Sequence, residues 1–194
     1  MEKLLLKNVT IAYPNLFEAK ANAKYNAEKK QYTAQIRIYD DQSDAAENMK
    51  LIKEAMHELA KGKWGEKAKR YYEDTQDSKN TRWLQRNNEE GFYFFSVKRN
   101  ESEGAPKVLD GQRNTLFAAD GKPRSGDTVN VLISPWIYDN QNSRGYSATL
   151  MGVQYVREGT VVIGNTAIAT EDDFEILGTD ECDAKAADAF SDCY

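Results

Sequence analysis

The residues able to do chemistry in this chain are few, and their types exclude more than they suggest. The chain has one histidine, His57, and its two cysteines, Cys182 and Cys193, both fall within the last thirteen residues. No Ser-His-Asp, Cys-His or histidine-rich metal centre can be assembled from such a set. The carboxylates of Asp110, Asp120, Asp127, Asp139 and Glu158 are of the kind that holds magnesium for two-metal phosphodiester cleavage. However, they stand in turn-like contexts, where aspartate usually serves the backbone. A glycine-rich strand-to-helix loop ending in Lys-Ser/Thr is also absent, so no catalytic residue, metal site or cofactor is expected. What recurs instead is aromatic rings beside cations: Arg37 with Tyr39, Lys98 and Arg99 after Tyr93 and Phe95, Arg144 near Tyr146, and the pair Trp136 and Tyr138. Rings stack unpaired bases at roughly 1–3 kcal/mol per base while Lys and Arg follow the phosphates. With Arg113 added as a further phosphate contact, these residues are equipment for single-stranded nucleic acid. Nothing resembles the recognition helix or zinc finger that reads a duplex groove.

The elements that must position these groups are mostly strands. VNVLISPWIYD, residues 129–139, alternates at period two. Val129, Val131, Ile133 and Ile137 share one face, and Thr128, Asn130, Ser134, Trp136 and Tyr138 share the other. Pro135 leaves an alternative open, because a bulge there would turn the two rings inward. Residues 31–39 alternate cleanly, burying Tyr32, Ala34, Ile36 and Ile38 and exposing Gln31, Thr33, Gln35, Arg37 and Tyr39. Residues 4–13, 92–99, 106–110 and YSATLMGVQYVRE (146–158) read as further strands, and ANAKYNAEKK (21–30) reads as a loop. From Asp44 to Ala60 the period becomes helical, with Ala45, Met49, Ile52, Met56 and Leu59 in one stripe. Asp44 and Glu47 have the spacing of a capping box. His57 falls on the polar side of this helix. Residues 61–90 suggest a basic insertion of irregular or short helical structure, whose basic run (Lys61, Lys63, Lys67, Lys69, Arg70) reads first as a solvated face and second as a nucleic-acid patch.

The chain has 194 residues, and its net charge of -5 is unevenly distributed. Residues 171–194 hold nine acidic side chains against Lys185 alone, which leaves residues 1–170 with 25 basic and 22 acidic side chains. A mildly basic body, residues 1–170, is therefore followed by an acidic segment of low hydrophobicity whose composition argues for disorder. That tail ends on Asp188, Phe190, Asp192 and Tyr194. A flexible anionic tail can compete for a basic groove at an effective concentration of roughly millimolar, or be read by a partner, or simply solubilise. No apolar run approaches the roughly 18 residues of a membrane-spanning helix, and no signal-peptide pattern opens the chain. A cytoplasmic location with both cysteines as free thiols is expected, and the sequence leaves room for a homodimer.

The chain also resembles a family of single-stranded-DNA-binding proteins of tailed phages, once described only as a domain of unknown function and carrying an OB (oligonucleotide/oligosaccharide-binding) fold. The matching stretches are KWG (63–65), GFYFFSVKR (91–99), PKVLD (106–110), SGDTVNVLISPWIYDN (125–140) and RGYSATLMGVQYVREG (144–159). The resemblance implies a mainly β fold: a five-stranded Greek-key barrel with a helix and basic insertion at about 43–90. It further implies a protein that coats replication intermediates in the cytoplasm of an infected bacterium. The acidic, aromatic-ended tail is similar to those by which other single-strand binders dock replication proteins, although here alanines dilute it and the last residue is Tyr rather than Phe. The rival readings are a metal-dependent phage nuclease and a structural or adaptor protein of the virion.

Overall fold

The computed structural model describes residues 3–22, 26–77, 83–160 and 163. The chain divides into residues 1–163 and 164–194. The whole second part lies outside the described residues, and with it the acidic tail and its Asp188, Phe190, Asp192 and Tyr194.

Along the chain the elements are β1 (Leu4–Asn22), β2 (Asn26–Tyr39), α1 (Ala45–Trp64), α2 (Ala68–Asp77), β3 (Gln85–Asn87), β4 (Phe92–Asn100), β5 (Lys107–Leu109), β6 (Thr128–Asp139) and β7 (Arg144–Arg157). Antiparallel pairing links β4, β2, β1, β6 and β7 in that order, and a parallel contact of Lys98 with Thr149 joins β7 back to β4. These five strands form a closed barrel of OB type. Two short strands extend it, β3 on β4 and β5 parallel to β7. Closure removes the open edges of the five main strands where they pair. The interior is filled by side chains that each strand offers at alternate positions, among them Leu6, Ile11, Ile36, Ile38, Phe95, Val97, Val129, Ile133 and Leu150.

In β2 the alternation places Ala34, Ile36 and Ile38 inside. The segment ANAKYNAEKK, however, is not simply a loop. Ala21 pairs with Lys30 and Lys20 with Gln31, so β1 and β2 run on as a hairpin arm. Its composition is polar because Lys20, Ala21, Lys29 and Lys30 all meet water; a ribbon's ladder of backbone hydrogen bonds does not require an apolar face.

Helix α1 covers the barrel with Ile52, Met56, Ala60 and Trp64, and Met49 and Leu59 flank that stripe. Asn48 is also buried. Its side chain accepts from the Lys7 N–H at 3.0 Å and donates to the Lys7 carbonyl at 2.7 Å, tying the helix to β1. The expected capping box does not form. The Asp44 carboxylate accepts instead from Asn8 Nδ2 of β1 and from the neighbouring Ser43 Oγ, each at 2.7 Å, and makes no side-chain bond to the helix N–H groups. These two donors hold its carboxyl below the usual carboxylate range. The helix runs to Trp64 and stops at Gly65, whose φ of 53° suits glycine.

Candidate nucleic-acid interface

On β6 the alternation carries straight through Pro135. The pairing with β7 slips twice: partners pass from Arg157 to Tyr155 between Thr128 and Val129, and from Gly152 to Leu150 between Leu132 and Ile133. Both extra residues, Val156 and Met151, belong to β7, so β6 keeps its period and its end faces are not reversed. Trp136 is accordingly 36 % exposed, Tyr138 is half-buried, and Ile137 packs against the core. The two rings meet edge to face, with centroids 6.2 Å apart. Opposite them in the ladder stand Ser147 and Gly145, small residues over which large rings can lie.

The outward face of β2 and β4 follows from their register: Thr33 lies opposite Lys98, Gln35 opposite Ser96, Arg37 opposite Phe94 and Tyr39 opposite Phe92. The Arg37 guanidinium stands 4.6 Å from the centroid of the Phe92 ring and 5.8 Å from that of Tyr13. Its Nε donates to Gln35 Oε1 at 2.9 Å. Tyr39 packs on Phe92 at 4.9 Å. Lys98 is exposed and sits at the parallel closure beside Thr149. It lines two hollows. One, of about 340 Å³, reaches Trp136, and the other, of about 530 Å³, reaches Tyr13 and Asn15. Because both hollows share Gln31 and Lys98, a continuous surface leads from Tyr13, past Lys98, to Trp136.

Several expected contacts are corrected by the same geometry. Phe95 is 1 % exposed and packs against Trp83 at 4.6 Å, so it offers no face to a base. Tyr93 shares the inward parity of Phe95, and the guanidinium of Arg86 caps its ring at 4.5 Å. Arg86 in turn forks Asp40 at 2.7 and 2.6 Å and holds that carboxyl below its ordinary range. Arg99 is committed to the backbone: Nε donates to the Gly104 carbonyl at 2.7 Å and Nη2 to that of Glu103 at 2.6 Å. Arg144 lies 3.8 Å over the Tyr71 ring and 3.7 Å from Asp139, whose other oxygen accepts from Trp64 Nε1 at 2.7 Å. It therefore clamps the helices to the β6–β7 hairpin. Arg113 is exposed in the loop after β5 at φ 69°. It has no cation–ring contact with the others among the described residues.

Two rings outside the expected set share this face. Tyr13, at 55 % exposed, and Phe94 lie on or beside the surface. Phe94 was legible, since Phe92, Phe94, Ser96 and Lys98 share one parity in GFYFFSVKR. Tyr13 was not, because its outward turn depends on a φ of 49° within an irregular stretch of β1.

Three of the candidate carboxylates serve turns, and a fourth, Asp139, is held by Trp64 and Arg144. Asp110 accepts from the N–H groups of Gln112 and Asn114, Asp120 from that of Phe117, and Asp127 from those of Arg124 and Gly159. Among the described residues no three acidic, His or Cys side chains converge as metal ligands do. His57 is exposed, and its ring stacks on Tyr72 at 4.3 Å.

A closed OB barrel bearing rings and cations on an open face has the architecture of a nucleic-acid-binding module. The family model of the Enterobacter phage Enc34 ssDNA-binding protein matches residues 2–188, and the chain belongs to that family. Protein p50 of Acyrthosiphon pisum secondary endosymbiont phage 1 is 32 % identical over 184 residues, covering 92 % of this chain and 96 % of that protein. In fold, the chain is similar to the single-stranded DNA-binding protein of bacteriophage Enc34 solved in complex with ssDNA, with a TM-score of 0.65 and 18 % identity over 84 % of this chain and 89 % of that one. It is also similar to gp2.5, a single-stranded DNA-binding protein of bacteriophage T7, with a TM-score of 0.53 and 15 % identity over 87 % and 99 % of the respective chains.

Proposed function

We propose that this protein binds single-stranded DNA during phage replication, without chemistry of its own. The observation that carries the reading is the continuous surface from Tyr13 to Trp136 with Lys98 at its middle. Its width is set by strand register, and it offers rings at both ends and a cation between them. Trp136 and Tyr13 would receive base faces, with Tyr138 buttressing the Trp136 ring. Lys98 and Arg37 would neutralise phosphates, Arg37 from the shelf formed by Phe92 and Tyr39. Stacking accepts any base, which suits a coat that must cover whatever strand is exposed. Membership of the Enc34 family supports the same reading, and we assign the work to the cytoplasm of an infected bacterium. The acidic tail is assigned to shielding this surface in the absence of DNA, or to docking replication proteins.

The test is a titration of labelled oligo-dT at several salt concentrations. Affinity should fall linearly on logarithmic axes as salt rises, because neutralised phosphates release counterions. Absence of binding, or binding indifferent to salt, would overturn the assignment.

A further inference from the structure

The hollow beside Trp136 contains a group that a path for phosphates does not call for, the carboxylate of Glu103. Its placement is built. A short 3-10 turn, Glu101–Glu103, follows β4 and ends at Gly104 with φ 78°. Arg99 holds that turn by its two hydrogen bonds to the carbonyls of Glu103 and Gly104. Glu103 Oε1 accepts from Asn100 Nδ2 at 3.2 Å, and Asn100 Oδ1 accepts from Gln31 Nε2 at 2.8 Å. The directions are forced. A carboxylate only accepts, so Asn100 must turn its nitrogen to Glu103 and its oxygen to Gln31, which must donate. The relay therefore leaves acceptor oxygens at its two ends, Glu103 Oε2 and Gln31 Oε1, on residues that line one hollow with Trp136.

Resting on the single-strand reading above, we infer that this relay gives the Trp136 position a base preference, favouring bases with an amino group on the pairing edge over thymine. Cytosine presents N4–H₂, adenine N6–H₂, and guanine N1–H with N2–H₂, which matches the two oxygens of one carboxylate. Thymine presents a single N3–H between two carbonyls. Those carbonyls would face acceptors, and the mismatch is repulsive as well as unrewarded. Glu103 is thus a specificity residue in a surface otherwise tolerant of sequence, and Arg99 is its positioning residue.

The experiment compares oligo-dC and oligo-dT of equal length on the full chain and on Glu103→Gln, with thermal midpoints as a check that the exposed substitution leaves the fold intact. Removing the charge should tighten both ligands. Oligo-dT should gain more, so that the dC-to-dT affinity ratio falls by roughly fivefold, the lower end of what one base contact discriminates. A second comparison places one guanine, or one inosine lacking the N2 amine, in an oligo-dT host. Inosine should weaken binding to the unmodified chain and leave Glu103→Gln indifferent. Equal gains for dC and dT, with no guanine–inosine difference, would overturn the inference and reduce Glu103 to a repulsive charge. Failure of both homopolymers to bind even at low salt would instead remove the single-strand reading beneath it.

Discussion

Tyr138 lies across Gly145, its partner in the β6–β7 ladder, so closely that a Cβ at position 145 would overlap the phenol oxygen and its ring carbon. Glycine is needed here for space. Gly145→Ala should push Tyr138 off its seat and disturb the edge-to-face contact with Trp136. Oligo-dT affinity should fall by about 1 kcal/mol, the lower end for one lost stacked base, with a change in Trp136 emission. Unchanged affinity would show that the pair's geometry is irrelevant to binding.

By type, Trp136 and Phe95 are both candidates for stacking, and the barrel separates them. Trp136→Ala should cost about 1–3 kcal/mol in binding and little in stability. Phe95→Ala should cost about 3–5 kcal/mol in stability, because it empties a core position. Denaturant unfolding and oligo-dT titration on both variants check this, and a reversal of the two patterns would place the rings wrongly.

Two cations should separate in the same manner. Lys98→Ala should lower the slope of log affinity against log salt by about 1, as loss of one phosphate contact does. Arg144→Ala should leave that slope unchanged and destabilise the fold by about 1 kcal/mol, through loss of its contact with Tyr71 and its pairing with Asp139. A changed slope in Arg144→Ala would return that residue to the DNA path.

The response to pH has two limbs. Asp40 is held below its ordinary value of 3.8 chiefly by the hydrogen bond from Arg86, so its stabilising effect is complete above that value and is lost as pH falls through the lower folded one. Asp40→Asn should therefore flatten the acid limb. Burial pushes the Tyr146 hydroxyl far above its ordinary value of 10.0, while the hydroxyl donates to the Met56 carbonyl at 3.2 Å. Its effect is complete below 10 and is lost as pH rises toward the folded value. Tyr146→Phe should reduce the alkaline slope, leaving the part that half-buried Tyr72 contributes. Thermal midpoints across both ranges measure each limb.

Deleting residues 171–194 removes nine acidic side chains and one lysine. If the tail shields the surface, oligo-dT binding should tighten at low salt and the gain should shrink as salt rises. Equal affinity with and without the tail would show that it acts only on other partners.

Period-two patterning alone placed Ala34, Ile36 and Ile38 of β2, and Val129, Val131 and Ile133 of β6 ahead of Pro135, in the core, because one face of a strand must be buried and its period is 2 whatever the strand pairs with. The same rule, applied to GFYFFSVKR, puts Phe95 on the face opposite to Lys98, where it is buried. Turn-like contexts also marked Asp110, Asp120 and Asp127 as residues whose carboxylates serve the backbone. Pairing between distant strands decided the rest. Sequence could not tell that the bulges would fall in β7 and leave Trp136 outward, that Arg144 would find Tyr71, or that Arg99 would be spent on a turn. A cation's partner depends on which segments the barrel's closure brings together, and local sequence carries no record of that choice.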